Sequence, residues 1–106
     1  MKIAIEVFDC LSLNILLDGK RVGFIDAFEA KDEDNKVWIE YMYILQKHRN
    51  NGFGTKAMKL AISLWRSLGY RKVSLDDIHW EKPQDFWGRL GFQGEGKRKT
   101  LNIEDI

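Results

Sequence analysis

The sequence predicts one α/β domain of the α+β kind, with a mainly antiparallel sheet that is covered by a long helix. Four segments between residues 2 and 45 alternate apolar and polar side chains, which is typical of half-buried strands. Residues 53–68 repeat apolar side chains at helical spacing instead. With 106 residues, 44% of them hydrophobic, the chain has room for a single domain, residues 1–106, with one modest core.

The first half of the chain predicts four consecutive strands joined by short turns. These strands cover residues 2–8, 11–17, 22–30 and 37–45. Asp18-Gly19 is a strong two-residue hairpin signal, and the charged segment 31–36 is a turn. In the fourth strand, alternation places Glu40 on one face with Trp38, Met42 and Ile44, and the other face carries Val37, Ile39, Tyr41, Tyr43 and Leu45.

The second half predicts a helix, a strand, a short helix and a last strand. The long helix over 53–68 ends at Gly69, and its apolar stripe packs on the sheet. A short fifth strand covers residues 71–75. Pro83 opens a short helix after it, and Gly91 ends that helix. Residues 93–103 are a turn and an edge strand. Its basic run at 97–99 is explained first as charge that protects the edge, and contact with nucleic acid or an acidic protein is the alternative.

An Arg-x-x-Gly-x-Gly turn at residues 49–54 separates the fourth strand from the long helix. A helix leaves its first N–H groups unpaired and carries about half a positive charge at that end, so the turn suits a phosphate group. We expect Gly52 and Gly54 to remove Cβ atoms that would hold a pyrophosphate away, and Arg49 to add a planar cation.

Two known phosphate-binding patterns fit this turn less well. A P-loop requires Gly-x-x-x-x-Gly-Lys-Ser/Thr, which the chain lacks. Gly52, Gly54 and Ala57 match the dinucleotide fingerprint Gly-x-Gly-x-x-Gly/Ala, and Asp76 lies near the offset of a ribose-binding acid. However, polar residues 46–51 separate this turn from the strand, and about 30 residues after Asp76 are too few for a doubly wound domain. A small nucleotide-binding domain remains an alternative.

Two segments together resemble a known family. Residues 49–54, Arg-Asn-Asn-Gly-Phe-Gly, resemble the Gln/Arg-x-x-Gly-x-Gly/Ala signature of the GNAT superfamily of N-acetyltransferases. Residues 86–92, Phe-Trp-Gly-Arg-Leu-Gly-Phe, resemble its second signature, Phe-Tyr-x-x-x-Gly-Phe, so the resemblance covers about residues 36–93. It implies a twisted mixed sheet with one parallel pair, between the fourth and fifth strands. It also implies an enzyme that moves an acetyl or other acyl group from coenzyme A to a primary amine.

The resemblance assigns the acyl-coenzyme A site to the turn and the strand before it. The implied cofactor-binding residues are Ile44, Leu45, Arg49, Asn50, Asn51, Gly52, Phe53, Gly54, Thr55 and Trp87. Ile44 and Leu45 would pair with the pantetheine arm, and the Leu45 N–H would polarise the thioester carbonyl.

Catalysis requires a base for the amine and an acid for the departing thiolate. Glu40 is the candidate base, and His79 and Glu81 are substitutes for it. The tyrosine that the family uses as the acid is replaced by Trp87, and Trp80 stands where the family usually has Asn. An indole N–H has no usable pKa for proton transfer, which favours the alternative of a weak or inactive GNAT-like binding module that docks on another macromolecule.

The front of the chain departs from the family, because only Asp9 and Cys10 separate two strands where GNAT folds usually insert two helices. Their absence predicts an open site, filled by a large acceptor or by a second subunit in a homodimer. The acceptor amine belongs to a small molecule or a protein, and no metal is expected.

Composition limits the partners and the compartment. A net charge of +1 provides no global field for nucleic acid or for an anionic membrane. The lone Cys10 favours a reducing compartment. With no leader pattern and no long apolar run, cytoplasmic residence is expected.

Overall fold

The structure, a computed structural model, describes residues 2–79, 81 and 86–104. Its strands are β1 (Ile3–Asp9), β2 (Ser12–Leu17), β3 (Lys20–Glu29), β4 (Lys36–Ile44), β5 (Lys72–Asp76) and β6 (Arg98–Asn102). Its helices are α1 (Phe53–Ser67) and α2 (Phe86–Arg89), with one 3₁₀ turn at Gln46–His48. No described helix has the length and apolar character needed to cross a membrane.

The six strands form one sheet in chain order, and every neighbouring pair is antiparallel except β4 and β5. Asp18 and Gly19 both have positive φ, 50° and 85°, as a tight turn between β2 and β3 requires. The β4–β5 pair is parallel because α1 carries the chain back across the sheet between them. This architecture confirms the predicted fold class.

The core lies between one face of the sheet and the two helices. From α1, Met58 and Trp65 are fully buried against sheet residues such as Ile15 and Val37, and the Trp65 indole N–H donates to the Leu11 carbonyl at 3.2 Å. A buried aromatic side chain of this size contributes about 3 kcal/mol or more of stability. The helices therefore cover a single face, here called the helical face.

A β-bulge in β4 changes the predicted side-chain pattern. Ala27 pairs with Ile39 but Asp26 pairs with Tyr41, so Glu40 is an extra residue in β4. After the bulge, Met42 and Ile44 pack on the helical core, whereas Tyr41 and Tyr43 stack near Phe24 on the opposite face. The prediction that Glu40 shares a face with Met42 and Ile44, and Tyr41 and Tyr43 with Val37 and Ile39, is therefore wrong.

The turn between β3 and β4 is held by ion pairs. Lys36, whose side chain is only 8% exposed, lies 2.9 Å from Asp32 and 3.8 Å from Glu33, and Lys72 lies 2.8 Å from Glu33. The hydrogen bond from Lys36 lowers the pKa of Asp32, and the hydrogen bond from Lys72 lowers the pKa of Glu33. This end of β4 is closed by paired charges.

Short connections explain the remaining boundaries. Only Cys10 and Leu11 separate β1 from β2, so no helix lies between these strands, and Cys10 takes a positive φ of 49° in the turn. α2 ends in a Schellman cap, in which Phe92 N–H donates to the Trp87 carbonyl, Gly91 N–H donates to the Gly88 carbonyl, and Gly91 has a φ of 101°. Two residues named in the sequence analysis lie outside the described residues: Pro83, where a helix start is predicted, and Trp80.

Candidate functional site

A cleft opens where β4 and β5 separate. Their pairing runs from Lys36–Lys72 to Ile39–Leu75, and beyond that point β4 continues with only β3 beside it. The cleft continues to the start of α1 and to α2, with a volume of about 1050 Å³. Its lining residues are Met42, Ile44, His48, Arg49, Asn50, Gly52, Phe53, Gly54, Thr55, His79, Phe86, Trp87 and Arg89.

The β4 wall of the cleft presents backbone groups that no described strand pairs, although the Ile44 carbonyl accepts a hydrogen bond from Arg49 Nε. Leu45 N–H donates to the Val22 carbonyl at 2.8 Å, which fixes the phase of the antiparallel β3–β4 ladder. Because hydrogen-bonded pairs alternate in such a ladder, Tyr43 also faces β3, while Met42 and Ile44 direct their backbone groups to the cleft. The expectation that the Leu45 N–H polarises a thioester carbonyl is therefore wrong, because that donor is already used.

The start of α1 forms one end of the cleft. Lys56 is the first residue whose N–H bonds back along the helix, to the Gly52 carbonyl at 3.1 Å. The N–H groups of Phe53, Gly54 and Thr55 therefore have no partner in the helix. No side chain caps this end and its first turn contains no acidic residue, so the positive end of the helix dipole is not neutralised locally. This geometry suits an anionic group.

The two glycines of the turn have different physical roles. Gly52 has a φ of 76°, a left-handed conformation, and a Cβ built there would meet nothing within 4 Å. Gly54 is helical, and its Cβ would lie 3.3 Å from Ile44 Cδ1 and 3.3 Å from Phe86 Cε1. Gly52 is thus required for backbone conformation. Gly54 allows the helix to pack closely on two walls of the cleft, so the expectation that it clears the phosphate itself is not supported.

Arg49 organises the turn that it begins. Its Nε donates to the Ile44 carbonyl at 2.7 Å, and its guanidinium lies 5.2 Å from the centre of the Tyr43 ring. Asn50 takes a positive φ of 64°, and Asn51 Nδ2 donates to the Arg49 carbonyl at 3.3 Å. The arginine therefore ties the turn to the end of β4 and also lines the cleft.

Trp87 closes the α2 side of the cleft. Its ring meets Phe86 edge-on at 4.8 Å and Phe92 at 5.3 Å between ring centres. It is half-buried and packs against the hydrophobic core. Among the described residues that line the cleft, none is a tyrosine. Trp87 thus provides an apolar wall at the position where the GNAT resemblance implies a hydroxyl.

The candidate bases lie in different places. His79 lines the cleft, and its backbone N–H donates to Asp77 Oδ1 at 2.9 Å. Glu40 is the first β4 residue beyond the β5 pairing, so its backbone marks the apex of the cleft. Its carboxylate accepts a hydrogen bond from Trp38 Nε1 at 3.1 Å and faces away from the helices. Glu81 is exposed in a turn.

Four lining residues were not among the predicted site residues: Met42, His48, Phe86 and Arg89. Met42 shares a face with Ile44, as the predicted alternation has it, so the sequence carried a signal for it. Phe86 lies within the second signature and adjoins Trp87, so that segment carried a signal for it. In the part of the chain that the structure describes, no three His, Cys, Asp or Glu side chains are grouped as a metal site requires.

The fold is similar to those of solved acetyltransferases. A GNAT family N-acetyltransferase (YhbS) from Escherichia coli in complex with CoA gives a TM-score of 0.71 at 15% identity, covering 89% of this chain and 59% of that chain. A GNAT acetyltransferase from Brucella melitensis in complex with acetyl-CoA gives 0.65 at 20% identity, covering 86% and 56%. The chain therefore spans less than two-thirds of either protein.

A third similar structure is Naa50 from Arabidopsis thaliana, in complex with a bisubstrate analogue, CoA-Ac-MVNAL. Its TM-score is 0.66 at 16% identity, covering 87% of this chain and 72% of that chain. No curated protein sequence matches the chain. Residues 4–92 match the sequence profile described as the acetyltransferase (GNAT) family, which is more than half of the chain. The chain therefore belongs to the GNAT family of acetyltransferases.

Proposed function

We propose that this protein transfers an acyl group, in the simplest case acetyl, from coenzyme A to a primary amine. The observation that carries the proposal is the coincidence of two sets of free donors in one cleft. Three helix N–H groups lie at one end of it, and the unpaired edge of β4 forms its wall. A protein that only docks on a partner has no need for this arrangement.

The cleft fits the parts of an acyl-coenzyme A in order. The pyrophosphate binds at the N–H groups of Phe53, Gly54 and Thr55, where the dipole of α1 favours negative charge. The pantetheine arm, which carries amides, lies along β4 and hydrogen-bonds to the backbone of Met42 and Ile44. This assignment places the acyl group towards the apex of the cleft, where β4 and β5 meet.

The reaction requires few groups from the protein. The neutral amine attacks the thioester carbonyl carbon, the C–N bond forms, the C–S bond breaks, and coenzyme A leaves as a thiolate, which takes up, directly or through solvent, the second proton that the attacking nitrogen loses as it becomes an amide. The proton lost by the ammonium passes to a base, for which Glu40 at the apex and His79 in the cleft are the candidates. A thiolate with an ordinary pKa near 8.5 leaves without strong acid help, so Trp87 in place of tyrosine does not prevent turnover.

Ligand-induced stabilisation tests the binding step. Acetyl-coenzyme A at about 100 times its Kd is expected to stabilise the protein by about 2.7 kcal/mol, which raises Tm by several degrees in a domain of this size. A thermal-shift panel compares acetyl-coenzyme A, longer acyl-coenzymes A, NAD and ATP. Stabilisation by NAD or ATP alone supports a nucleotide-binding domain, and no shift with any coenzyme A species contradicts the proposal.

The packing of Trp87 favours a second candidate function, a GNAT-like binding module. Since Trp87 is fixed between Phe86 and Phe92, it contributes apolar contact and no proton. Thiol release with polyamines, amino acids and lysine peptides separates the two functions. If the wild type and Trp87→Tyr both bind coenzyme A and both remain inactive with every amine, the binding module is the better explanation.

A further inference from the structure

The two edges of the sheet differ in what covers them. At the β6 edge, Thr100 exchanges backbone hydrogen bonds with Gln93, at 2.9 and 2.8 Å, so the middle of that strand is already paired on its outer side. The β1 edge has no partner strand in the part of the chain that the structure describes. An unpaired edge strand offers a row of backbone donors and acceptors to another chain. The β1 edge is therefore open to a further strand.

The hydrogen-bond phase of β1 decides which of its backbone groups are free. The Asp18 N–H donates to the Lys2 carbonyl at 2.9 Å, so Lys2 directs its carbonyl to the β2 side. Because such pairs alternate along an antiparallel ladder, the next even-numbered residues also face β2, while Ile3 and Ile5 direct their N–H and C=O groups outward. A strand that pairs with this edge must therefore bond to Ile3 and Ile5.

The side chains of residues 2–6, Lys-Ile-Ala-Ile-Glu, complement their own reversed order. When this segment runs antiparallel to a second copy of itself, centred on Ala4, Lys2 lies opposite Glu6 and the two isoleucines lie opposite each other. Opposite charges directly across an antiparallel pair stabilise it, and like charges destabilise it. A pairing centred on Glu6 would set two carboxylates opposite each other, and one centred on Ile5 would leave both charges without a direct partner. The charges therefore select the register centred on Ala4.

We propose that β1 pairs with β1 of a second copy of this chain, which joins the two sheets into one. In the register centred on Ala4, the free backbone groups of Ile3 bond to those of Ile5 in the second copy, so hydrogen-bond phase and side-chain order agree. The two-fold axis is perpendicular to the sheet, which keeps both helical faces on the same side. Because Ile3 and Ile5 pack against the core on that face, the pairing continues an apolar row from one copy to the other.

The two charges favour a second copy over an unrelated strand. Lys2 and Glu6 are exposed, and neither forms an ion pair with another described residue of its own copy. Glu6 accepts a hydrogen bond from the neutral side chain of Asn14 at 3.3 Å, and it is Asn14, not Glu6, that accepts from Arg21. An unrelated peptide could bond to the free backbone groups, but only a strand with these charges in reversed order pairs with both of them.

Sedimentation velocity on the full chain, from about 1 to 200 μM, tests the proposal without any coenzyme. One pair of strands makes a small interface, so a dimer with a micromolar Kd is expected, and that Kd should rise with salt. Lys2→Glu sets like charges opposite each other twice, once on each side of the axis, and should raise the dimer Kd about tenfold. Lys97→Glu is the matched control, because it makes the same charge change at an exposed residue beside β6, on the other edge of the sheet.

Charge exchange tests the register. The double variant Lys2→Glu/Glu6→Lys restores an opposite pair on each side of the axis, so it should recover most of the affinity that Lys2→Glu loses. Circular dichroism checks that each variant is folded. A wild-type monomer at about 200 μM overturns the proposal and leaves the β1 edge to another chain. A dimer that Lys2→Glu does not weaken, or whose affinity the double variant does not recover, overturns it as well.

Amide hydrogen exchange tests which backbone groups the dimer covers. In NMR experiments on the wild type at about 20 and 400 μM, exchange at Ile3 and Ile5 should slow at the higher concentration, because their N–H groups become bonded to the second copy. Ala4 and Glu6 face β2 and serve as internal controls, so their exchange should depend much less on concentration. A dimer in which Ile3 and Ile5 gain no protection uses another surface and contradicts the proposal.

Discussion

The two ends of β4 are built in opposite ways. At its first residue, Lys36 is nearly buried, two carboxylates neutralise it, and β4 is paired on both edges. At its last residues, Met42 and Ile44 have a partner strand on one edge only, and the adjoining helix α1 begins with unpaired N–H groups. One end is therefore satisfied internally, and the other leaves donors for a ligand.

This difference separates stability from binding within a single strand. Unpaired backbone donors are costly when they are buried, so they persist where solvent or a ligand can reach them. The end of β4 that begins at Lys36, here called the closed end, is held by ion pairs and by strands on both edges, and it fixes the position of β4. The end at Met42 and Ile44 is here called the open end. We therefore expect changes at the open end to affect ligand chemistry more than folding, and changes at the closed end to do the reverse.

The largest expected effect is on the reaction rate, at the apex of the cleft. If Glu40 is the base, Glu40→Gln lowers the acylation rate about 10²- to 10⁴-fold, because the amide keeps the shape but cannot accept a proton. Thiol-release kinetics measure the rate, and the coenzyme affinity should change little.

His79→Ala is the matched variant for the same experiment, since His79 lines the cleft directly. If Glu40→Gln retains full activity and His79→Ala loses it, the base lies inside the cleft rather than at its apex. If both variants keep full activity, neither residue is the base and water accepts the proton.

A smaller effect is expected from the two glycines at the start of α1. Gly54→Val forces atoms against Ile44 and Phe86, so it should weaken coenzyme binding at least about tenfold and cost about 1 to 3 kcal/mol of stability. Gly52→Ala adds no contact but strains a left-handed backbone, which costs about 1 kcal/mol.

Calorimetric titration with coenzyme A and denaturant unfolding separate these two effects. Because only the Gly54 side chain would meet the walls of the cleft, we expect the larger loss of affinity for Gly54→Val and only a small loss for Gly52→Ala. Equal losses of affinity in the two variants would mean that the conformation of the turn, rather than the packing of its walls, controls binding.

The smallest effect is the acid sensitivity of the closed end. Hydrogen bonds from Lys36 and Lys72 lower the folded-state pKa values of Asp32 and Glu33 below their unfolded values. Their contribution to stability is therefore complete above the unfolded pKa values and is lost as the pH falls through the folded ones, below about pH 5. Because both carboxylates are exposed to solvent, this contribution is small.

Thermal unfolding between pH 7 and pH 3 measures this dependence. The variant Asp32→Asn/Glu33→Gln should show a flatter decline below pH 5 and a lower Tm at pH 7, because Lys36 then lacks its partners. Its affinity for coenzyme A at pH 7 should match that of the wild type. A change in that affinity would show that the two ends of β4 are coupled.

Most of the fold follows from local patterns that the sequence displays. The Asp18-Gly19 turn and the start of α1 at Phe53 are where the sequence predicts them. The bulge at Glu40 was not predictable, because Tyr41 and Tyr43 continue the apolar alternation of Val37 and Ile39 and hide the inserted residue. Tyrosine suits both a core and an exposed face, so its presence does not reveal the phase of a strand.

The turn of the site was predictable and its geometry was not. The signature located Gly52 and Gly54, but the role of each glycine depends on φ and on neighbours that are distant in sequence, such as Phe86. The direction of the Leu45 N–H depends in the same way on its pairing with Val22. Motif spacing identifies which residues meet, whereas hydrogen-bond phase decides which atoms are free.

Because of the bulge, Glu40 could be removed from β4 without changing which face the other side chains of the strand occupy. Ile39 faces the core and Tyr41 the opposite side, as they would in a regular strand that lacked Glu40. Deletion of that residue would leave every other side chain on its present face and remove only the local bend and extra twist of the strand. Deletion of Glu40 is therefore expected to change the cleft between β4 and β5 while the core keeps its pattern.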